Sequence, residues 1–511
     1  MAKMTAMRRL MLTAPAALAV TAIAALGQTS DAELQCQVLN NSQRAKEAAH
    51  CYAQLRQTRI QDPSLAQRAA LGEARNETWS GQVRAAERAY EAYLLANPSN
   101  RAVSIEYARL LRFAGNYRRA EQLCNQLLRS NPRDAEVLAL RAEVLYWARN
   151  RSFQARRDAE QALALTTESA GARVSHMAAL EALGLNRAAS GEAAKLPEPS
   201  PLSAFLTERL SEKTHLRNRH ALTAYNDSDG IHNTSYENQM AIPVREDHAI
   251  NLKFAERIAS APDGSIFTAG RTRASVQEFS AGGEALVAPG LHLFAAGGAS
   301  MLGRGSPRPI YELSLSGAPH DRWNIAIGAD RKFLTVTPRA VDQQIASQNF
   351  FASLTYWFDS RTSLALRADK RLWSDTNHSM QGEGAFTRNL VYGKTFNLDA
   401  GALTHQQAFR HDFLAASGFF TPDHYSRYTG FLNTHGELKK FTWEIRGEGG
   451  TQQITTASNF TPNWSVTARA SAKLGGLFRL YGSYERKNYS LLSRDGWYQG
   501  FYISLMVQPK S

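Results

Sequence analysis

His411 and Asp412 lie close in sequence to Ser417, and together these are the residue types of a serine hydrolase. A triad needs its carboxylate behind the imidazole and its hydroxyl in front, a geometry that adjacent His and Asp seldom reach. The chain has no glycine loop for phosphate, no His-Glu-x-x-His and no paired-cysteine metal motif. The residues therefore predict a protein that is not an enzyme and that uses neither metal nor cofactor.

A second set of chemically capable residues occurs at every other position. Arg367, Asp369 and Arg371 alternate with Leu364, Leu366 and Ala368, and Glu444, Arg446 and Glu448 with Phe441, Trp443 and Ile445. Arg469 and Lys473 alternate with Ala468, Ala470 and Ala472, while Arg479, Tyr481 and Glu485 share the register opposite Phe478 and Leu480. Charged groups for hydroxyls and aromatic faces for sugar C–H surfaces would make such residues the hydrated lining of a passage. They could equally be mutual salt bridges that hold a wall, and with both signs mixed they do not name the charge of a passenger. Between Gln406 and Arg427 lie Phe409, His411, Phe413, Phe419, Phe420, His424 and Tyr425. That stretch is too long and aromatic for a tight turn. It reads either as an inward-folding gate or sugar-stacking surface, or as an extracellular loop packed on itself.

The elements that carry these residues have period two, the mark of strands with one apolar and one polar face. About sixteen runs of roughly ten residues, separated by Gly, Asp, Asn, Ser and Pro turns, fill residues 219–511. That count and span predict an antiparallel transmembrane β-barrel of about 16 strands, whose lumen is wide enough for water. A soluble sandwich would alternate too, but around a dry core. Trp323, Trp357, Trp373, Trp443, Trp464 and Trp497 fall near expected strand ends, as an aromatic girdle would. The last predicted strand, Tyr498 to Leu505, carries the Gly and apolar residues of an internal assembly signal, although the chain ends without a terminal aromatic.

The preceding third has a different texture. Gly81-Gln82-Val83-Arg84-Ala85-Ala86-Glu87 recurs as Gly115-Asn116-Tyr117-Arg118-Arg119-Ala120-Glu121, and the same offset links Asn97-Pro98 to Asn131-Pro132. A period of about 34 residues is the tetratricopeptide signature. Ala86, Ala108 and Ala120 let antiparallel helices approach, Gly115 turns the chain ahead of Tyr117, and Pro98 and Pro132 end helices. Three to four units plus a capping pair are expected over residues 28–196, with a degenerate unit at 36–63. Such stacks bind partners on a concave face. Pro197, Pro199 and Pro201 suit no helix interior, so residues 197–218 read as a linker. The fold class expected is α+β in two domains, a helical solenoid followed by a barrel.

Lys3, Arg8 and Arg9 precede an apolar run from Leu10 to Leu26, with small residues at Ala25 and Gly27, so residues 1–27 read as a signal peptide. Beyond it no apolar run reaches the length of a membrane helix; Ala285 to Leu302 is broken by Pro289, glycines and His292. A mean hydropathy of −0.38 does not exclude a barrel, which hides its lipid face in alternation. Three cysteines are few for an exported chain. Cys36 and Cys51 could pair, and Cys124 falls where a repeat buries a free thiol. The net charge of +13 would invite nucleic acid, but export argues against that partner. From Lys213 onward, 32 Lys and Arg face 25 Asp and Glu, a difference of +7 scattered singly.

Periplasmic tetratricopeptide repeats ahead of a C-terminal barrel resemble the outer-membrane exopolysaccharide-export porins, of the cellulose-secretion outer-membrane subunit and poly-N-acetylglucosamine export porin type. Gly418-Phe419-Phe420-Thr421-Pro422 is similar to a Gly-aromatic-aromatic-Ser/Thr-Pro segment before a late barrel strand of the cellulose-type proteins. The resemblance implies a barrel in outer-membrane lipid that conducts a polysaccharide outward. Repeats in the periplasm would recruit periplasmic or inner-membrane synthase components. Those families carry more repeats than this chain, so a second repeat protein would complete the route. The competing expectation is a non-conducting interaction or receptor protein with a plugged barrel.

Overall fold

The computed structural model describes residues 31–507 apart from 59–61, 149–150, 246, 269, 304, 394, 412–417, 420, 439, 456–457, 476–477 and 489–495. The expected signal segment lies outside the described residues. The chain divides into two compact units, a helical one and a barrel unit that also takes in residues 150–153, 180–190 and 208–216.

The helical part runs α1 (Asp31–Asn41), α2 (Ala45–Thr58), α3 (Pro63–Ser80), α4 (Val83–Ala96), α5 (Arg101–Phe113), α6 (Tyr117–Ser130), α7 (Ala135–Trp147), α8 (Ser152–Leu165), α9 (Ala170–Ala182), α10 (Asn186–Ala193) and α11 (Pro201–Thr214). Local chemistry sets the ends. Asp62 accepts the backbone N–H groups of Ser64 and Leu65, with Pro63 opening α3. Asn100 caps α5 through Val103, and Asp134, 34 residues later, caps α7 through Val137. Gly81 and Gly115 close the first helix of each pair at φ 80, a left-handed conformation that costs glycine little. Asn97 and Asn131 end α4 and α6, directly before Pro98 and Pro132.

Packing follows the repeat. Ala86, Ala108, Ala120 and Cys124 are all at 0 % exposure, so the small residues are where the helices touch. Charge follows it too. Arg75 meets Glu106 at 2.8 Å, Arg101 meets Asp134 at 2.6 Å, and Arg112 bonds Glu143, each pair joining one unit to the next. The helices α3–α4 and α5–α6 form two successive pairs of this repeat. The degenerate unit expected at 36–63 is the α1–α2 hairpin, where Cys36 and Cys51 form a disulfide. The three-proline stretch is followed by a helix, because Pro201 sits at its first position, where no hydrogen bond is lost.

The sheet comprises β1 (Arg217–Asp227), β2 (His232–Arg245), β3 (His248–Ser260), β4 (Arg273–Ala288), β5 (Leu291–Leu302), β6 (Arg308–His320), β7 (Trp323–Phe333), β8 (Ala346–Trp357), β9 (Thr362–Trp373), β10 (His378–Val391), β11 (Asn397–Phe409), β12 (Tyr425–Leu438), β13 (Phe441–Gln453), β14 (Thr461–Leu474), β15 (Phe478–Lys487) and β16 (Tyr498–Val507). Every strand pairs antiparallel with its sequence neighbours, and β1 pairs with β16 through Leu222 and Ile503, closing a sixteen-stranded barrel. Closure leaves no unpaired edge, a requirement for spanning lipid with strands.

The outer face is apolar in mid-strand. Leu366 is 47 % and Ile445 51 % exposed, and Leu313, Ile327, Leu432 and Ile503 resemble them. So much bare hydrocarbon around a closed cylinder is the surface of an outer-membrane barrel. No helix among the described residues is long and apolar enough to cross a membrane. Within the barrel unit, short hairpin turns hold the adjoining chain. Asp321 Oδ1 accepts the Phe153 N–H at 2.7 Å, Asp247 Oδ1 accepts that of Asn186 at 3.0 Å, and Gly290 donates to the Leu183 carbonyl at 2.8 Å.

Candidate functional site

The register places all eleven charged and tyrosine positions singled out in the sequence on one face, opposite the exposed apolar set. Arg367, Asp369 and Arg371 lie on β9; the other eight lie on β13, β14 and β15. Strands β10–β12 separate the two groups, so they are two stretches of one wall.

Most of these residues are spoken for. Arg367 Nε bonds Asp369 Oδ2 at 2.7 Å, and its guanidinium lies 5.3 Å from the Phe351 ring centre. Arg371 stands in register with Asn349 and Ser379. Glu444 meets Arg469 at 3.4 Å. Glu448 bonds Arg446 at 2.7 Å and also faces Arg427 at 3.6 Å, while Arg446 stacks 3.9 Å over Phe431. Tyr481 packs edge-on against Tyr502, and Glu485 lies 3.7 Å from Lys487. The salt-bridge reading thus describes much of the wall.

Lys473 and Arg479 have partners that no local pattern could reveal. Glu212 of α11 accepts from Lys473 at 2.7 Å and from Arg479 at 3.2 Å, and Glu208 reaches Lys473 at 3.2 Å. One turn of helix earlier or later brings the same face round, so the i, i+4 pair Glu208 and Glu212 points at these two cations. The neighbouring stripe, Arg209 and Lys213, meets the nearly buried Glu181 at 3.0 and 2.7 Å. The wall also includes Arg219, Glu237 and Lys253, linked at 2.8 and 2.9 Å. Their period-two pattern was available in the sequence.

The segment between β7 and β8, residues 334–345, folds inward. Its short helix α12 (Pro338–Asp342) is capped by Thr337, whose hydroxyl oxygen accepts the Ala340 N–H. Val341 packs with Val276 of β4 and Leu302 of β5. Ala340 and Ile345 pack with Trp373 of β9, Phe409 of β11 and Phe419. Val336 touches that cluster and also the one formed by Ile231, Ala261 and Phe267, and its carbonyl accepts from Asn233 Nδ2 of β2 at 2.9 Å. In a ring of sixteen, β2 and β9 are seven places apart, so the segment crosses from one wall to the nearly opposite one. Its packing against the walls is apolar, and Thr337 and Ala340 are fully buried.

The aromatic stretch takes part in this crossing. Phe409 and Phe419 pack on Trp373 with ring centres 5.9 and 5.0 Å away, and Tyr425 stacks edge-on against His405 at 5.5 Å. Trp373 is therefore an interior residue, not part of an outer girdle, because the inward segment gives it an apolar place to pack. Phe420, Phe413, Asp412 and Ser417 lie outside the described residues. His411 is held through its backbone, by Asn377 at 2.8 and 3.2 Å. A different serine approaches an imidazole: Ser426 Oγ lies 2.6 Å from His424 Nε2. That hydroxyl also donates to Gln406 Oε1 at 2.5 Å and is buried.

Comparison with known proteins follows the two units. Residues 80–144 match the tetratricopeptide repeat family. No curated protein sequence matches the chain. Among solved structures, a bacterial polysaccharide outer membrane secretin aligns over 58 % of this chain and 99 % of its own, at 12 % identity and a TM-score of 0.49. The outer membrane protein opdK from Pseudomonas aeruginosa aligns over 57 % of this chain and 98 % of its own, at 8 % identity and a TM-score of 0.32. A tetratricopeptide repeat protein from Parabacteroides merdae aligns over 35 % of this chain and 73 % of its own, at 17 % identity and a TM-score of 0.31.

Proposed function

We propose that the barrel is an outer-membrane conduit that exports a polysaccharide, and that the repeats recruit the periplasmic or synthase-side proteins that deliver it. Residues 28–196 form the recruiting domain in the periplasm after removal of 1–27, and 219–511 form the conduit. The observation that carries this reading is the closed ring of sixteen strands, apolar outside and charged at alternate positions within. A ring that size encloses more room than its own side chains fill. Paired charges and aromatic faces along the wall suit a hydroxyl-rich chain, which needs hydrogen-bond partners and apolar C–H contacts without a deep trap. No residue in this reading performs covalent chemistry.

The test is recording from single proteins in planar bilayers while linear oligosaccharides are added to one side. Oligosaccharide is expected to raise the frequency of channel opening and to interrupt the open current in discrete, length-dependent blockades. Open current that no oligosaccharide interrupts or traverses would count against export.

A second reading, a non-conducting interaction protein, draws on the inward segment 334–345, which spans the interior. It requires that segment to stay in place under all conditions.

A further inference from the structure

The interior segment is held mainly by side-chain anchors and apolar packing. Arg339 donates from Nε and Nη2 to the Thr268 carbonyl at 3.0 and 2.9 Å, and its N–H donates to the Phe267 carbonyl at 3.0 Å. Thr337 Oγ1 donates to the Gly418 carbonyl at 2.8 Å. Asn233 Nδ2 donates to the Val336 carbonyl at 2.9 Å, Arg308 Nη2 donates to Gln344 Oε1 at 2.9 Å, and Arg271 faces Asp342 at 3.7 Å. Apolar packing sets Ala340 and Ile345 against the ring trio Trp373, Phe409 and Phe419. Beyond the Phe333–Ala346 pair that ends the β7–β8 ladder, the Leu334 N–H donates to the Ile345 carbonyl at 2.8 Å, and residues 335–344 stand outside the ladder. At its return, Gln344 adopts φ 52, the left-handed region that disfavours a side chain. A segment tied at its base by one backbone bond beyond the ladder, with a strained turn and side-chain anchors, can leave without unzipping the barrel.

Leaving has a consequence. The ring trio would face water, which apolar rings resist, unless another apolar face covered it. The C–H face of a pyranose ring is such a surface, and aromatic rings take it readily.

We propose that residues 334–345 are a displaceable gate. The glycan opens it by taking the Trp373–Phe409–Phe419 pocket that Ala340 and Ile345 occupy in the closed state. That makes the trio a sugar-stacking subsite at the long-loop end of the conduit. The inference rests on the conduit reading above. It differs from the constitutively plugged alternative in requiring motion.

The test uses the full chain with a cysteine at Ala340→Cys. The native cysteines give little background, since Cys36 and Cys51 are joined and Cys124 is buried. Labelling by a membrane-impermeant maleimide should be slow at rest. It should rise at least tenfold with Arg339→Ala, and in the otherwise native chain on adding linear oligosaccharide, with channel current rising in parallel. Thr337→Val, which removes a different anchor, serves if Arg339→Ala fails to assemble. Labelling that is as fast at rest as in the anchor variants overturns the gate. So does faster labelling without current. Labelling that rises with Arg339→Ala but ignores oligosaccharide overturns the subsite. Failure of the export reading looks different: the opened protein passes ions yet excludes oligosaccharides.

Discussion

Thr337 Oγ1 donates to the Gly418 carbonyl oxygen at 2.8 Å, tying the segment after β7 to the aromatic stretch after β11 across 81 residues of sequence. Gly418 sits there at φ +69, and a Cβ built on it would lie 2.8 Å from Arg339 Cδ and 2.9 Å from Arg339 Cβ. The glycine is thus required twice, by its backbone conformation and by the arginine that anchors the interior segment.

Gly418→Ala should therefore loosen the segment without harming the barrel. The left-handed backbone alone costs about 1 kcal/mol or more for a residue with a Cβ. Expected is faster modification at Ala340→Cys with unchanged heat-modifiable migration on gels. Unchanged modification would show that the close approach to Arg339 is not restraining.

The lipid face should tolerate charge far less than the interior. Ile445→Arg, at a half-exposed outer position, should cost about 2–4 kcal/mol if it lies near the bilayer midplane. Ser471→Arg on β14 faces the other way and should assemble normally. Heat-modifiability of the two variants after refolding into detergent and lipid gives the comparison. Equal assembly would contradict the assignment of faces.

Glu212→Gln removes the carboxylate shared by Lys473 and Arg479. All three groups are partly exposed, so little stability should be lost. The wall would gain one uncompensated positive charge, and the reversal potential in a salt gradient should shift towards anion selectivity. A potential that does not move would place this cluster off the conducting path.

In the helical unit, burial pushes the Cys124 thiol up to about 12 and raises the buried Tyr90 phenol as well. Both groups hold their protons more tightly folded than unfolded. Their contribution is therefore complete below the unfolded cysteine value of about 8.5 and fades as pH climbs towards the folded value. Thermal unfolding of the helical circular-dichroism signal should be level from about pH 7 to 8 and fall above about 9. A level profile beyond that range would contradict the burial of these groups.

Reduction of the Cys36–Cys51 disulfide should act locally. Its partners are 15 residues apart, and a loop of that length gives about 3 kcal/mol in the chain-entropy model. Protease cuts confined to α1 and α2 after reduction are expected. Collapse of the whole helical unit would mean that the hairpin props up the repeats.

The parts of this fold legible in the sequence are those with strong one-dimensional constraints. Lipid demands an apolar residue at every other position, so Leu364, Leu366 and Ala368 announce a strand and a face. Helix pairs that touch through alanine every 34 residues announce a repeat, so Ala86 and Ala120 could be matched by eye. The candidate site was half legible. Alternation put Arg367, Glu444 and Lys473 on the interior face, but not their partners: Lys473 meets Glu212 across 261 residues, and Asn233 meets Val336 across 103. Nothing in Leu334 to Ile345 marks it as a segment that turns inward, because its apolar residues match neither period and the walls it packs on, at Val276, Trp373 and Phe409, are distant in sequence. The prolines before α11 read as a break, and Pro201 as a helix start became visible only with the helix.

The most direct measurement of the central claim is efflux of linear, neutral oligosaccharides of graded length from proteoliposomes holding the Arg339→Ala protein. A conduit for polymer senses the cross-section of the chain and not its length. Efflux should therefore persist from short to long chains, slowing only gradually. A sharp cut-off at a few sugar units, or no efflux while ions pass freely, would contradict export.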